Sequence, residues 1–526
     1  MVGGPATLQQ PRGLLAPWQT LAIYLLLTVT VLVPVFSVRV PCLGDYLHHL
    51  ARIHILTNAV YSPALQQYYV PHWRLVPYLG MDLPVALLAP LVGLYQAGRL
   101  FVAVCVMMPV LAAATLRYAI YRRIGLIPAF GFLLSYGWLL EVGFLNYVFS
   151  AGLAVMLFAA WLATQGWRRS YRVILFAAAA LVIYIAHAFA FVAYGLLLAG
   201  YEFGRAVRQD RRRLAARLLD LAAAAAQALP TLLFVLLLQA DLTSGNLHST
   251  YYDSVGEQLA SLMMPLYFVG HTWVIATFLL LPLAALLLAR WIRLAPALWP
   301  ALALLGVVAC FVPDMLFGVY RADIRLPLVF GIVFIGAARA APGTRAGLAG
   351  SVLAVMVALV MARSADAFVV LRRLDTQVAE VRQLLQHLPL GQRLLVVDEN
   401  GPAPARVAPP PMTGHLGLLA TVDRDAFVPY LFIGPTAVQL RPQMQYSASA
   451  DAQAITVAEL QEGLRQPAPR GAPPPFRGGW KYWLDWPAKF DYVLVIHFGT
   501  DIGGLPPILR KVASVGLADL YQITRQ

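Results

Sequence analysis

The segment Leu21–Leu56, "LAIYLLLTVTVLVPVFSVRVPCLGDYLHHLARIHIL", decides the fold class. Its first half, Leu21 to Val38, is an apolar run close to the length of about 20 residues that a bilayer crossing needs. No small-residue cleavage site of the A-x-A type follows, so we interpret the run as an uncleaved signal anchor. The second half, "GDYLHHLARIHIL" (Gly44–Leu56), gathers one carboxylate, three histidines and one arginine in a chain that is only 12% charged.

The composition of the whole chain is that of a polytopic membrane protein. Its 526 residues are 60% hydrophobic, with a mean hydropathy of +0.69, whereas soluble domains carry about 25% charged residues. The net charge of +14 comes from short arginine clusters between apolar runs, which is typical of cytoplasmic loops, so we expect no nucleic-acid partner. The three cysteines have neither metal-site nor CxxC spacing and predict no disulfide framework.

The arginine clusters set the predicted topology. With the N terminus in the cytoplasm, every strong basic cluster falls in a cytoplasmic loop. The segment 82–97, "DLPVALLAPLVGLYQA", is then an interfacial or re-entrant helix on the outer side, because counting it as a crossing would move those clusters outside. Eleven crossings are predicted near residues 20–38, 98–117, 126–142, 145–164, 171–187, 188–204, 218–239, 272–291, 297–316, 325–341 and 346–363.

This topology places a first loop of about 60 residues (39–97), the polar loop 240–271 and the C terminus outside. After Arg363 the pattern changes to a helical stretch, 367–388, and then to strand-like runs at 393–399, 426–433 and 490–498. Linkers rich in Pro, Gly and Ala occupy 401–411 and 467–479. We therefore predict a transmembrane domain, 1–363, and a small extracytoplasmic α/β domain, 364–526, of ordinary domain size.

If the stretch Gly44–Leu56 is helical, Asp45, His48, His49 and Arg52 fall at i, i+3, i+4 and i+7 and share one face. The apolar positions between them predict a helix lying at the outer interface. Three interpretations are open: a solvated amphipathic face, a metal site with Asp45 and His49 as ligands, or acid/base chemistry. The scarcity of charge elsewhere favours the third, with Asp45 as the base and His49 and Arg52 in support.

A second ionisable cluster, "VYRADIRLP" (319–327), lies at the outer end of the tenth predicted crossing. Its arginines run against the positive-inside trend and suit bidentate capture of a phosphate. The alternative is an ion pair between Asp323 and an arginine that fixes a loop. Asn146 and His187, at predicted external turns, are pocket candidates or simple polar caps. The predicted substrate-binding residues are His48, Asp82, Asn146, His187, Arg321, Asp323 and Arg325.

The order of these features resembles the GT-C membrane glycosyltransferases, the polyprenyl- or dolichyl-phosphate-sugar-dependent enzymes related to protein mannosyltransferases and lipid A aminoarabinose transferases. A first crossing, an outer loop with an aspartate, interfacial helices and a second crossing, "YQAGRLFVAVCVMMPVLAAATLRYAIYRR" (95–123), carry the resemblance. The stretches "GDYLHHLARIHIL", "YYVPHWRLVPYLGMDLPV", "GFLNYVFSAGLA" and "ADIRLPL" are similar to an uncharacterised bacterial group of this superfamily. The doubled acidic pattern of the mannosyltransferases and the WWD-type signature of oligosaccharyltransferases are not evident.

The resemblance implies an inverting glycosyltransferase in a bacterial inner membrane, with Asp45 as catalytic base and Arg321 and Arg325 on the donor phosphate. Its donor would be a polyprenyl-phosphate sugar and its acceptor a lipid, a glycan or a protein; metal dependence and oligomeric state stay open. A lipid-glycan transporter or flippase and an envelope-assembly subunit are the alternatives. Transporters usually carry ionisable or helix-breaking positions deep in crossings and in repeated halves. Here the ionisable residues lie at the ends of crossings on one side, which favours an enzyme.

Overall fold

The structure is a computed structural model that describes residues 16–208, 214–238, 250–268, 285, 291–316, 319–341, 346–399, 414–432, 438–448, 453–467 and 480–525. Its α-helices are α1 Pro17–Phe36, α2 Tyr46–Asn58, α3 Pro63–Tyr68, α4 Asp82–Val92, α5 Leu94–Tyr121, α6 Trp138–Glu141, α7 Leu145–Ala163, α8 Arg169–Ala186, α9 Ala188–Arg208, α10 Leu214–Ala226, α11 Leu229–Leu238, α12 Val255–Ser261, α13 Trp299–Phe311, α14 Arg325–Ala337, α15 Ala346–Leu385, α16 Leu419–Arg424, α17 Val457–Arg465 and α18 Trp486–Lys489. Short 3-10 helices are Ile127–Leu134, Met264–Leu266, Pro296–Leu298, Leu416–Leu418 and Pro442–Ser447. The strands are β1 Tyr69–Pro71, β2 Ile292–Leu294, β3 Ala338–Ala340, β4 Leu394–Asp398, β5 Val438–Leu440, β6 Tyr492–Ile496, β7 Leu509–Val515 and β8 Ala518–Ile523.

The chain is a mostly helical, multi-pass membrane protein. Six stretches of the described residues are long and apolar enough to cross a bilayer: α1, α5, α7, α8, Leu218–Leu237 across α10 and α11, and Ala349–Leu385 within α15. All six coincide with predicted crossings. The predicted crossings near 188–204, 297–316 and 325–341 correspond to α9 and to the shorter apolar helices α13 and α14. Apart from residues 285 and 291, the predicted crossing at 272–291 lies outside the described residues, as do residues 240–249 and 269–271 of the loop 240–271.

The predicted crossing near 126–142 is wrong as a continuous helix. This segment forms the 3-10 helix Ile127–Leu134 and the four-residue helix α6 instead. Two glycines in this segment pack closely against the backbone of other segments, where a side chain would be crowded. A Cβ on Gly131 would lie 3.0 Å from Cα of Val110, and one on Gly137 would lie 2.3 Å from the carbonyl oxygen of Pro265.

The segment 82–97, which the predicted topology did not count as a crossing, contains the short helix α4 and the first residues of α5. Helix α4 has 11 residues and is therefore about 16 Å long, roughly half of the hydrocarbon thickness of a bilayer. The chain turns at Gly93, whose φ of +84° favours glycine, and α5 begins at Leu94. Leu83, Leu87 and Leu91 form an exposed apolar stripe along α4, as expected of a re-entrant or interfacial helix.

Helix α15 joins the membrane part to the C-terminal region without a break. Its 40 residues span about 60 Å and unite the predicted last crossing with the predicted helix 367–388. The predicted boundary at 363/364 therefore lies inside a helix. Helix α1 packs along α15, and Oδ1 of Asp375 accepts hydrogen bonds from the amides of Arg39 (2.9 Å) and Val40 (3.2 Å).

The C-terminal region is built on a four-stranded mixed sheet in the order β4-β6-β8-β7. Strands β4 and β6 are parallel and buried along their length, and they coincide with the predicted strand-like runs at 393–399 and 490–498. The predicted strand at 426–433 is wrong, since Phe427 makes only an isolated bridge to Arg393. Pro429 within this run has no N–H to donate to a ladder. The linker 401–411 and nearly all of 467–479 lie outside the described residues.

Helix α2 is enclosed between the membrane part and the C-terminal region. It packs against α4 and α5 on one side and against α16 and the 3-10 helix Leu416–Leu418 on the other. Strand β1 pairs with β5 in register Tyr69↔Leu440, and His54 Nε2 lies 2.7 Å from Asp425 Oδ1. Of the three interpretations left open for this helix, the solvated amphipathic face is therefore excluded, because residues 46–53 are all buried.

Candidate active site

The backbone at the start of α2 is fixed by two close hydrogen bonds. The amides of Gly44 and Asp45 donate to the carbonyl oxygens of Glu141 (2.8 Å) and Val142 (2.9 Å). Only glycines permit this approach: a Cβ on Gly44 would lie 2.5 Å from the Val142 oxygen, and one on Gly143 would lie 2.4 Å from the Asp45 nitrogen. Gly143 also has a φ of +81°. The position of Asp45 is thus determined by the backbone around it.

The Asp45 carboxylate is enclosed by protein but accessible. Its side chain is 23% exposed, enough to meet a substrate group. Burial raises the pKa of Asp45 to about 7, while the positive charges of Arg325 and Arg52 act in the opposite direction. A carboxyl group with this pKa exchanges a proton readily near neutral pH, as a general base must.

Arg52 and Asp82 form a buried ion pair beside Asp45. Arg52 donates from Nε to Asp82 Oδ2 (2.8 Å) and from Nη2 to Asp82 Oδ1 (2.7 Å), and the same Nη2 lies 2.9 Å from Nδ1 of His49. Although burial alone would raise it, the charge and hydrogen bonds of Arg52 hold the pKa of Asp82 below its usual value. Because arginine only donates, His49 Nδ1 is an acceptor here, and its lone pair is not open to a metal.

Arg325 is a buried cation of a different kind. Its Nη2 donates to the carbonyl oxygen of Tyr320 (3.0 Å) and its Nη1 lies 3.1 Å from His187 Nε2, while Nε has no partner among the described residues. No carboxylate forms an ion pair with it in the part of the chain that the structure describes. Three aromatic rings lie close to its guanidinium carbon: Phe144 at 4.7 Å, Tyr147 at 5.4 Å and Phe189 at 5.7 Å. Arg325 therefore has charge and a donor available for an anion.

His187 and Asn146 position the elements around this site. His187 Nδ1 accepts from the amide of Phe189 (3.1 Å) at the start of α9, while its Nε2 faces Arg325. A neutral imidazole has one acceptor nitrogen, so these two donors cannot both be satisfied by it. Asn146 accepts from the Met81 amide and donates to the Tyr78 carbonyl oxygen (2.8 Å). Its amide is thus used to hold the backbone that leads into Asp82.

Arg321 and Asp323 belong to a separate cluster. The Arg321 guanidinium lies 3.2 Å from Asp314, 3.4 Å from Asp323 and 3.5 Å from Asp253. Burial raises the pKa of Asp314 to about 6 and also raises that of Asp323. Three carboxylates leave Arg321 no net charge for a phosphate. The geometry matches the loop-fixing ion pair, and it separates Arg321 from Arg325.

The sequence did not identify the partners of His48. Nε2 of His48 lies 3.1 Å from Nδ1 of His415, Nδ1 of His48 accepts from the Phe432 amide (3.3 Å), and its ring stacks on that of Phe432 at 3.8 Å. On the far side, Nε2 of His415 lies 3.9 Å from Oδ1 of Asp45. The only signal for His415 in the sequence is a single histidine next to a proline-rich linker. Within the described residues, no group of three or more His, Cys, Asp or Glu is arranged to hold a metal ion.

No known family model matches the chain, and no curated protein matches it in sequence. Solved structures do. The chain resembles ArnT. It superposes on ArnT from Cupriavidus metallidurans bound to undecaprenyl phosphate with a TM-score of 0.52 and 12% identity, covering 97% of this chain and 98% of the other. The apo state of ArnT matches with a TM-score of 0.49 and 12% identity, over 96% and 97% of the two chains. The resemblance in fold to the GT-C glycosyltransferases is thereby confirmed.

Proposed function

We propose that the chain is an inverting membrane glycosyltransferase that transfers a sugar from a polyprenyl-phosphate-linked donor to an acceptor. The observation that carries the proposal is the position of Asp45, a reachable carboxylate with a pKa of about 7 that feels the charges of both Arg52 and Arg325. The fold supports it, because ArnT binds undecaprenyl phosphate in a structure that matches along almost the whole chain.

In the proposed reaction, Asp45 removes the proton from a hydroxyl or amine of the acceptor. The freed electron pair forms a bond to the anomeric carbon while the bond from that carbon to the phosphate oxygen breaks. The phosphate leaves with the bonding electrons, and Arg325, which has no carboxylate partner among the described residues, binds it. Attack opposite to the leaving phosphate inverts the anomeric centre.

The neighbouring residues receive supporting roles. The charges of Arg52 and Asp82 compensate each other, so Arg52 does not bind the phosphate. Arg52 orients His49 instead, and its positive charge favours the ionised form of Asp45. His187 shares the space next to Arg325 and contributes to the donor pocket. We assign Asn146, Arg321 and Asp323 to holding the surrounding loops.

We place the site at the outer face of a bacterial inner membrane, with the N terminus in the cytoplasm and the C-terminal region outside. The distribution of arginines supports this orientation. An amphiphilic donor can keep its polyprenyl chain in the bilayer there while its phosphate and sugar enter the site. A lipid, a glycan or a protein of the cell envelope is the acceptor.

The test is a transfer assay on the full-length protein in lipid nanodiscs. A panel of undecaprenyl-phosphate sugars serves as donors, an extract of envelope lipids and glycans as acceptors, and mass spectrometry measures the released undecaprenyl phosphate. Asp45→Asn should lower the rate by about 100-fold or more, since general-base catalysis contributes roughly 10²- to 10⁴-fold. Asp220→Asn, at an exposed ion pair with Arg169, is the control and should keep its activity. Equal rates for wild type and Asp45→Asn would refute the role of Asp45, and donor movement across the bilayer without transfer would favour a flippase.

A further inference from the structure

The C-terminal region reaches Asp45 through two histidine side chains. His48 is fully buried, and its ring meets that of His415 edge to face, with centroids 4.3 Å apart. His415 comes from the segment just before the 3-10 helix Leu416–Leu418, which packs on α2. The line Phe432–His48–His415–Asp45 thus runs from the C-terminal region, through α2, to the carboxylate.

The hydrogen bonds determine which ring nitrogen of His48 and of His415 carries the proton. The Phe432 amide can only donate, so Nδ1 of His48 accepts and the proton of the neutral ring sits on Nε2. Nε2 of His48 then donates to Nδ1 of His415. His415 in turn carries its proton on Nε2, the nitrogen that lies 3.9 Å from Oδ1 of Asp45. Burial lowers the pKa of His415 to about 4 and lowers that of His48 as well, so both rings are neutral at pH 7.

We propose that His415 is a positioning residue for Asp45, oriented by His48, and that docking of the C-terminal region thereby completes the active site. The inference rests on the proposed role of Asp45. Nε2 of His415 lies 3.9 Å from Oδ1 of Asp45, so a side-chain movement of about 1 Å brings its N–H within hydrogen-bond distance of the carboxylate, where it favours the ionised form. Because the line ends at a backbone amide, it cannot carry a proton away; its role is orientation.

The charged and titratable groups around this line come from three elements. Arg52 and His49 face it from α2, and Arg325 acts on Asp45 from α14. From the C-terminal region, only His415 approaches the carboxylate among the described residues, and the ring of Tyr430 lies 6.2 Å from each of the two histidine rings. Loss of the His415 N–H removes a donor while leaving both arginines in place, so the pKa of Asp45 should rise.

Infrared titration of the full-length protein in nanodiscs measures this pKa without a substrate. The carboxylic acid band of Asp45 is identified as the difference between wild type and Asp45→Asn. His415→Phe should move the titration midpoint upward by about half to one pH unit, because the variant removes an N–H group that favours the ionised carboxylate. His415→Gln, which keeps an N–H donor at similar reach, should move it less.

Asp425→Asn is the matched control. Asp425 contacts His54 of α2 at 2.7 Å and Ser62 at 2.7 Å, so this variant loosens the same interface without facing Asp45, and the midpoint should stay. An unchanged midpoint in folded His415→Phe protein overturns the inference, and so does an equal shift in Asp425→Asn. If the wild-type protein transfers no sugar while His415→Phe still shifts the titration midpoint of Asp45, only the proposed function is refuted.

Discussion

Breaking the buried pair Arg52–Asp82 by removing one partner should strongly destabilise the membrane part. Their side chains are 5% and 2% exposed, and two short hydrogen bonds join them. Asp82→Asn keeps the size of the side chain but removes its charge and turns an amide group toward a donor. Because the Arg52 charge would then be buried and unpaired, we expect the free energy of unfolding to fall by about 3–5 kcal/mol.

A thiol-reactive fluorescent maleimide measures this loss. Cys42 and Cys105 are buried and Cys310 is exposed, so in a Cys310→Ser background the fluorescence reports only on unfolding. Asp220→Asn is the exposed counterpart: it breaks a 2.7 Å pair with Arg169 whose side chains are 45% and 31% exposed. Such a pair is worth less than about 1 kcal/mol, and the control should unfold close to the wild-type temperature.

The double variant Arg52→Met with Asp82→Leu separates the loss of the pair from the burial of a lone charge. Apolar side chains that replace a whole buried pair are close to neutral, so the double variant should regain most of the stability lost in Asp82→Asn. Equal losses in Asp82→Asn and Asp220→Asn would refute the reasoning. Since the pKa of Asp82 is depressed below 3.8 in the folded protein, its contribution is present at neutral pH and disappears as the pH falls through that depressed value.

Two further predictions concern the position and the charge of Asp45. Gly143→Ala places a Cβ 2.4 Å from the Asp45 nitrogen at a φ of +81°, and should lower transfer about 100-fold, the effect of a misplacement near 1 Å; Gly195→Ala, with no atom within 4 Å of its Cβ, should not. A carboxyl group with a pKa of about 7 is roughly one-tenth ionised at pH 6 and nine-tenths at pH 8. The kcat/KM for transfer should therefore rise about tenfold between these values, and a flat profile would exclude Asp45 as the base.

The sequence was sufficient for features that depend on neighbouring residues. Spacing along α2 placed Asp45, His49 and Arg52 together, and in the structure Arg52 does contact His49. Charge distribution predicted that 82–97 does not cross the membrane, and in the structure this segment contains the 11-residue helix α4, which ends before Gly93. Hydropathy failed at 126–142, where Gly131 and Gly137 contact distant parts of the backbone, and a hydropathy average contains no information on such contacts.

Features that depend on the meeting of distant segments were not accessible. Asp82 could be named as a candidate, but its pairing with Arg52 joins residues 30 positions apart. His48 and His415 are 367 positions apart, and no local pattern marks either as the partner of the other. The amphipathic pattern of α2 left a solvated face open for the same reason: it shows that one side of the helix is polar, but not that another part of the chain covers that side.

The surroundings of the two carboxylates in the site shift their pKa values in opposite directions. Asp82 is bound on both oxygens by Arg52 and stays ionised, whereas Asp45 forms no ion pair with an arginine or lysine in the described part of the chain and has a pKa of about 7. Once Asp82 neutralises Arg52, the remaining charges are those of Arg325 and ionised Asp45. In the proposed reaction a donor phosphodiester becomes a phosphomonoester and gains one negative charge, while Asp45 takes a proton and loses one. The net charge of the enclosed site is then the same before and after transfer, so no charge has to be created in a poorly solvated space.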